Sequence, residues 1–349
     1  MSKVVFAIPG DIATETGGYA YDRRMLRELP SFGIEMSHLA LPGSFPNPTA
    51  ADLAETEKRL AATPAGIKLM IDGLALGAMP AGLVERLDRR IVALVHHPLA
   101  LEAGLTEARA RELAASETAA LALCRRVIVT SPMTARILVA DFGVPADKIT
   151  VAEPGTDPAP RATGTGTPMQ LLSVGAISQR KGYHVLLEAL KPLADMDWRL
   201  SIVGATDRDK ATVEALRQEI DASRGLKDRI TLTGAVVPAT LDRLYASADI
   251  FVLPSLFEGY GMVLAEAMSR GLPIICTTGG AAAETVPDAA AIKVAPGDVA
   301  ALGAGLVRLM SDKKLRKRLE GASWEAGRQL PTWTETARRI FAAIMEMKA

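Results

Sequence analysis

The chain has 349 residues, balances 40 Lys+Arg against 40 Asp+Glu, and is 49% hydrophobic and 23% charged. At roughly 150 residues per domain this is two domains, each able to bury a core, and the composition excludes a disordered chain. Zero net charge argues against a nucleic-acid partner, while two cysteines, Cys124 and Cys276, are too few and too far apart for a disulfide framework or a zinc site.

In chain order, residues 4–8 (VVFAI) are an apolar run stopped by Pro9-Gly10. That run is too short for a signal peptide and reads as a first strand. Further strands are expected at 68–71, 91–95 and 126–130, with helices at 19–29 and 107–123 between them. A second series has strands at 171–174, 200–203, 230–233, 250–253 and 273–276, with helices at 183–191 and 211–223. Strands that are apolar throughout, alternating with helices, imply parallel sheets covered on both faces. Uncharged stretches such as 73–84 and 272–283 contain Gly and Pro and fall short of the ~20 residues of a membrane span. With thiols read as buried in a reducing compartment, the expectation is a soluble, cytoplasmic protein.

Residues 153–168 (EPGTDPAPRATGTGTP) hold no core pattern and read as a linker. The expected organisation is α/β, with doubly wound domains at 1–155 and 167–332 and a closing helix at 333–349. Ligands of such sheets sit at the carboxyl ends of the strands, here expected to face a cleft between the domains.

The segment with most chemistry is 254–273. It follows one expected strand, carries Glu258 with Gly259 and Gly261 in a loop, and then begins a helix with Glu266 on its second turn. The first amides of that helix, at Gly261, Met262 and Val263, lack intrahelical acceptors and lie at a positive dipole end, a ready site for phosphate. One flanking carboxylate can hold hydroxyls or stabilise developing positive charge, and the other can accept hydrogen bonds from a ribose. As isolated glutamates they would more often be ordinary surface residues; the surrounding strand, glycines and helix change that.

The run from Phe257 to Met268, with seven residues between its two glutamates, resembles the paired-glutamate motif of family 4 glycosyltransferases, which are retaining and use nucleotide sugars. Three further landmarks follow the family's order. The stretch 173–182, ending Arg180-Lys181-Gly182, is similar to its donor-diphosphate loop, Thr16-Gly17-Gly18-Tyr19 to its amino-terminal glycine loop, and Glu153-Pro154-Gly155-Thr156-Asp157 to its hinge. The resemblance implies a GT-B fold: two Rossmann-like doubly wound parallel-sheet domains facing across a cleft, with the closing helix at 333–349 packing back on the first domain.

It also implies a hexosyltransferase-type enzyme with a UDP- or GDP-sugar donor and a glycan, lipid-linked or small-molecule acceptor. No cofactor and no metal ion are implied. Arg180 and Lys181 would bind the diphosphate, and two adjacent cations can stabilise such a leaving group without a metal. Glu266 would meet the ribose, Glu258 the sugar, the 259–263 backbone with Tyr260 the donor, and the backbone at Val236 the nucleobase. Gly17 and Gly18 would lie near the donor phosphate. His96, ending the strand at 91–95, would point a neutral imidazole at the transferred sugar, with His97 the weaker candidate.

Asp207-Arg-Asp209 has the form of a metal-binding triplet, but Asp195-Met-Asp197 repeats it, and acidic residues ahead of a helix are expected as caps. The basic run at 313–318 reads as a solvated helix face, with peripheral contact to a membrane surface as its functional counterpart. A nucleotide-sugar hydrolase or epimerase of the same fold, or a non-catalytic nucleotide-binding module, remains an alternative. A dinucleotide oxidoreductase lacks its G-x-G-x-x-G loop after the first strand.

Overall fold

The computed structural model describes residues 2–347. The chain forms two compact units: residues up to Gly155 together with the segment from Pro331 onward, and Thr156–Leu330.

The first unit holds β1 (Ser2–Pro9), β2 (Ile34–Leu41), β3 (Lys68–Asp72), β4 (Ile91–Val95), β5 (Arg126–Val129) and β6 (Ile149–Val151). They make a sheet in the order β2-β1-β3-β4-β5-β6, parallel throughout. Every residue of β3 and β4 is buried; β4 is apolar throughout, as a central strand covered on both faces requires, and β3 is apolar between Lys68 and Asp72. Leaving β1, the chain goes first to one side (β2) and then to the other (β3), so this sheet reverses its order between β1 and β3. In register, Asp72 pairs with Leu94, which brings the end of β3 beside His96 just beyond β4.

The second unit repeats the plan with β7 (Met169–Val174), β8 (Trp198–Val203), β9 (Ile230–Gly234), β10 (Ile250–Leu253), β11 (Ile274–Thr277) and β12 (Ala291–Val294). Their order is β12-β11-β10-β7-β8-β9, again all parallel, with the reversal between β7 and β10. The segments leaving the carboxyl ends of β7 and β10 therefore emerge side by side, the position at which such sheets bind ligands.

Three strands lie outside those expected from sequence: β2, β6 and β12. All are edge strands. β2 includes the exposed Glu35, Ser37 and His38, and β6 has only three residues, so neither shows the buried-strand pattern. The 153–168 stretch has no regular structure, yet part of it is fastened to the second unit: Ala162 N–H donates to Arg270 O at 2.8 Å and Gly166 N–H to Asp249 Oδ1 at 3.0 Å.

The last helix, Trp333–Glu346, starts from a reciprocal cap between Thr332 and Glu335. It buries Trp333, Ala337, Ile340 and Ile344 within the first unit. Lys68 Nζ donates to Ile344 O at 2.6 Å, Thr336 Oγ1 to Glu153 O at 2.6 Å, and Arg126 pairs with Glu346 at 2.7 Å. Among the described residues no helix is long and apolar enough to cross a membrane.

Candidate active site

In the second unit, β7 runs out through Gly175 into a tight turn, Gln179–Lys181, that delivers Arg180 and Lys181. Gly182 ends that turn with φ 64°, and a Cβ there would sit 2.2 Å from Pro254 O. Only glycine permits this approach, which presses the basic turn onto the segment leaving β10. Leu256 N–H donates to Arg180 O at 2.7 Å and Arg180 Nη1 to Phe257 O at 2.9 Å. The result is a buried charge cluster. Lys181 Nζ lies 2.6 Å from Glu258 Oε1, Arg180 Nη1 lies 3.6 Å from Oε2, and Ser255 Oγ donates to Oε1 at 2.5 Å.

Glu258 is only 5% exposed. Burial pushes its carboxyl upward, but the charges of Lys181 and Arg180, with the hydrogen bonds from Lys181 and Ser255, hold it below the usual carboxylate range. Its backbone is fixed from β11: Ala281 N–H donates to Glu258 O at 2.8 Å, and a Cβ on Gly280 (φ 68°) would meet that oxygen at 2.3 Å. The Thr277 hydroxyl donates to Ser255 O. Ser255, Thr277 and Gly280 were not among the candidates from sequence. The available signal was the Thr-Thr-Gly-Gly at 277–280, which leaves the strand next to the one carrying the glutamate motif.

Beyond Glu258 the chain passes Gly259 and the buried Tyr260, whose carbonyl accepts from Thr285 Oγ1 at 2.6 Å. Gly261, at φ 89°, then opens the helix Met262–Ser269. Leu264 N–H donates to Gly261 O at 2.8 Å, so Met262 and Val263 supply the first-turn amides that a helix leaves unpaired. Glu266 stands on the second turn, where Tyr245 Oη donates to its Oε2 at 2.8 Å. Arg270 lies 4.4 Å over the Tyr245 ring and pairs with Asp242 at 2.5 Å. Burial raises the Glu266 carboxyl despite the Tyr245 hydrogen bond and the Arg270 charge. Val236, just past β9, is partly buried against the cluster that contains Val203 and Tyr245.

In the first unit, Gly17 and Gly18 are not loop residues: they form the first turn of the helix Gly17–Glu28, capped by Thr16, whose Oγ1 accepts from Tyr19 N–H at 3.3 Å. One turn further along, Asp22 is fully buried. His96 Nε2 lies 3.2 Å from Asp22 Oδ1 and 3.4 Å from Asp72 Oδ2. The ring also edges onto Tyr21 at 5.4 Å between centroids and lies 3.2 Å from where a Gly18 Cβ would stand.

The expected neutral imidazole is therefore corrected. Burial alone would lower the His96 pKa, but Asp22 and Asp72 outweigh it and push it up to about 10, which favours the protonated ring. Neither aspartate was foreseen, because each belongs to an element that sequence reading treated as scaffold. His97 turns elsewhere, with Nε2 3.1 Å from Glu102 Oε2.

Asp209 caps the helix Lys210–Ala222, accepting from Thr212 N–H at 3.0 Å and Thr212 Oγ1 at 2.6 Å, as a cap should. Among the described residues, one group of three has the composition of a metal site: Asp22, Asp72 and His96, with ligand atoms within 4.8 Å of one another. Cys124 and Cys276 are buried free thiols, each pushed up to about 12 by burial.

Two family models match the chain: glycosyl transferases group 1 over residues 168–312, and glycosyltransferase family 4 over residues 70–160. Mannosylfructose-phosphate synthase of Agrobacterium fabrum is 29% identical over 239 residues, 63% of this chain and 53% of that protein. The MMP alpha-(1->4)-mannosyltransferase of Mycolicibacterium hassiacum is 25% identical over 322 residues, 85% of this chain and 75% of that protein. The chain spans about half the length of the first curated relatives it matches.

Among solved structures, sucrose-phosphate synthase of Thermosynechococcus elongatus superposes with a TM-score of 0.83 at 20% identity, covering 99% of both chains. Anabaena HepE, solved with UDP-glucose, superposes with a TM-score of 0.79 at 17% identity, covering 99% of this chain and 100% of the other. These likenesses establish the GT-B fold. With both family models matching in order along it, the chain belongs to the family 4, group 1 glycosyltransferases.

Proposed function

We propose that the protein is a retaining glycosyltransferase that moves a sugar from a UDP- or GDP-sugar to a hydroxyl acceptor in glycan, glycolipid or polysaccharide biosynthesis. The observation that carries this reading is the cluster of Arg180, Lys181 and Glu258 beside the amino end of the helix Met262–Ser269. A diphosphate there would meet two cations and unpaired amides, and its negative charge would compete with Glu258 for Lys181. Glu258, released from that ion pair, would accept hydrogen bonds from the donor sugar, and Glu266, steadied by Tyr245, from the ribose. The backbone at Val236 would meet the base.

The first unit would supply the acceptor side, with Gly17, Gly18 and His96. Retention fits attack on the face from which the diphosphate departs, a leaving-phosphate oxygen taking the acceptor proton. Two cations in the phosphate site make a metal unnecessary, so activity should survive a chelator. HepE was solved with UDP and with UDP-glucose, which supports a uridine donor first. A thermal-shift screen of UDP-, GDP- and ADP-sugars, then NMR of the product anomer, tests the reading. Lys181→Ala and Glu266→Ala should each lose at least tenfold in donor affinity. Wild-type donor affinity in both variants, or an inverted product, overturns it.

A further inference from the structure

The Asp22–His96–Asp72 cluster has no part yet in the account of transfer beyond placing a ring. Its three side chains come from separate elements: the helix Gly17–Glu28, the end of β3, and the residue following β4. They converge because the sheet reverses its order between β1 and β3, so the first helix starts beside the carboxyl end of β3. Asp22 and Asp72 are 0% and 1% exposed. Both aim at one atom, His96 Nε2, from 3.2 and 3.4 Å.

A lone pair on Nε2 would face two carboxylates, so this nitrogen must carry its proton. A neutral ring would still leave two buried negative charges against one weak dipole, a costly arrangement. A second ring proton removes most of that cost. Asp72 has its other oxygen tied to Leu74 N–H at 2.7 Å, whereas Asp22 Oδ2 has no partner among the described residues. Any further proton the cluster takes up therefore belongs on Asp22.

We propose that Asp22 and Asp72 are positioning residues that clamp the Nε2 edge of His96 and hold the ring as a cation, leaving Nδ1–H as a fixed positive donor to a substrate oxygen. This rests on the glycosyltransferase reading only for the identity of that substrate. The clamp determines what His96 can do: a ring already carrying both protons cannot act as the general base toward an acceptor hydroxyl. It suits an electron-rich oxygen instead, whether a hydroxyl of the transferred sugar or an acceptor phosphate. The titration behaviour agrees with the geometry. Burial first, then the neighbouring Asp72, pushes Asp22 up to about 7, against the pull of His96. The ring also edges onto Tyr21, raised well above its ordinary value chiefly by burial, and the charge of Arg339 on the last helix acts on Tyr21 in turn.

The test uses the full chain labelled with ring-15N histidine, with His96→Gln to assign the His96 signals. Both His96 nitrogens should stay protonated from pH 6 to 8.5 in the wild type. In Asp22→Asn and Asp72→Asn the ring should titrate nearer the ordinary ~6.5. Kinetically, Asp22→Asn should lose about tenfold in kcat/KM at pH 8.5 and recover toward wild type at pH 6, where the ring regains its proton. A merely structural role would not produce that split. Separate KM values for donor and acceptor identify which substrate supplies the oxygen.

A wild-type His96 that titrates within one unit of 6.5 overturns the proposal, and this measurement needs no variant to fold. So does stoichiometric binding of Mn2+ or Zn2+ in equilibrium dialysis that Asp22→Asn abolishes, since that would make the trio a metal site. If the ring stays protonated but no sugar nucleotide turns over, the clamp stands and the transferase reading falls.

Discussion

Replacing Lys181 with Met removes the closest countercharge of Glu258. The two atoms are 2.6 Å apart and both side chains are nearly buried, at 11% and 6% exposure. At an effective dielectric of ~20 two unit charges at that separation attract by about 6 kcal/mol. Arg180 at 3.6 Å and the Ser255 hydroxyl remain, so the expected net loss is smaller, about 3 kcal/mol, the low end for stranding a buried charge. For a unit of this size each kcal/mol moves Tm by about 2–4 °C, giving a drop of about 6–12 °C in calorimetry.

The pH dependence has a definite sign. In the wild type Glu258 sits below its ordinary value, so its stabilisation is present above the unfolded pKa and is lost as pH falls through the lower folded one. In Lys181→Met burial dominates and raises the carboxyl, so the variant gains relative stability as Glu258 protonates. The Tm gap should be widest at neutral pH and should shrink toward pH 5. Glu258→Gln in the Lys181→Met background should recover most of the loss. A gap under 2 °C, or one that does not change with pH, would refute the ion-pair account.

Tyr245→Phe removes the hydroxyl that holds Glu266 Oε2. Losing one hydrogen bond to a carboxylate, about 1.5 kcal/mol, should raise the donor KM roughly tenfold with kcat little changed; an unaltered KM would exclude the support role. Gly280→Ala would place a Cβ 2.3 Å from Glu258 O in a backbone at φ 68°, so both Tm and donor affinity should fall, and a wild-type Tm would contradict the packing. Glu117, on the helix Glu107–Ala122, accepts from Leu99 N–H through Oε2 while Oε1 has no partner among the described residues, and burial raises it to about 8. The folded chain thus holds this proton more tightly than the unfolded one, so stability should fall from about pH 4.5 to pH 8, at up to ~1.4 kcal/mol per unit. Glu117→Gln should flatten that slope in Tm against pH; an equally steep slope would show that other groups cause it.

The sequence alone determined the alternating strand–helix plan, because central parallel strands must be apolar on both faces and so announce themselves. It also singled out Glu258, Glu266, Arg180 and Lys181 as candidates, because glycines and a helix start lie beside them in the chain, and it led to the family through those same residues. The edge strands β2, β6 and β12 escaped it, since a strand partly open to solvent needs no continuous apolar run.

Only the tertiary structure decided which charges meet. Lys181 and Glu258 are 77 positions apart and become an ion pair because β7 and β10 are neighbours in the sheet. Asp22 and His96, 74 apart, meet because the first sheet reverses its order at β1 and β3. A protonation state depends on the field of such distant partners and on burial. Sequence therefore marked His96 as a candidate, while its positive charge came from two carboxylates that only folding brings to its ring.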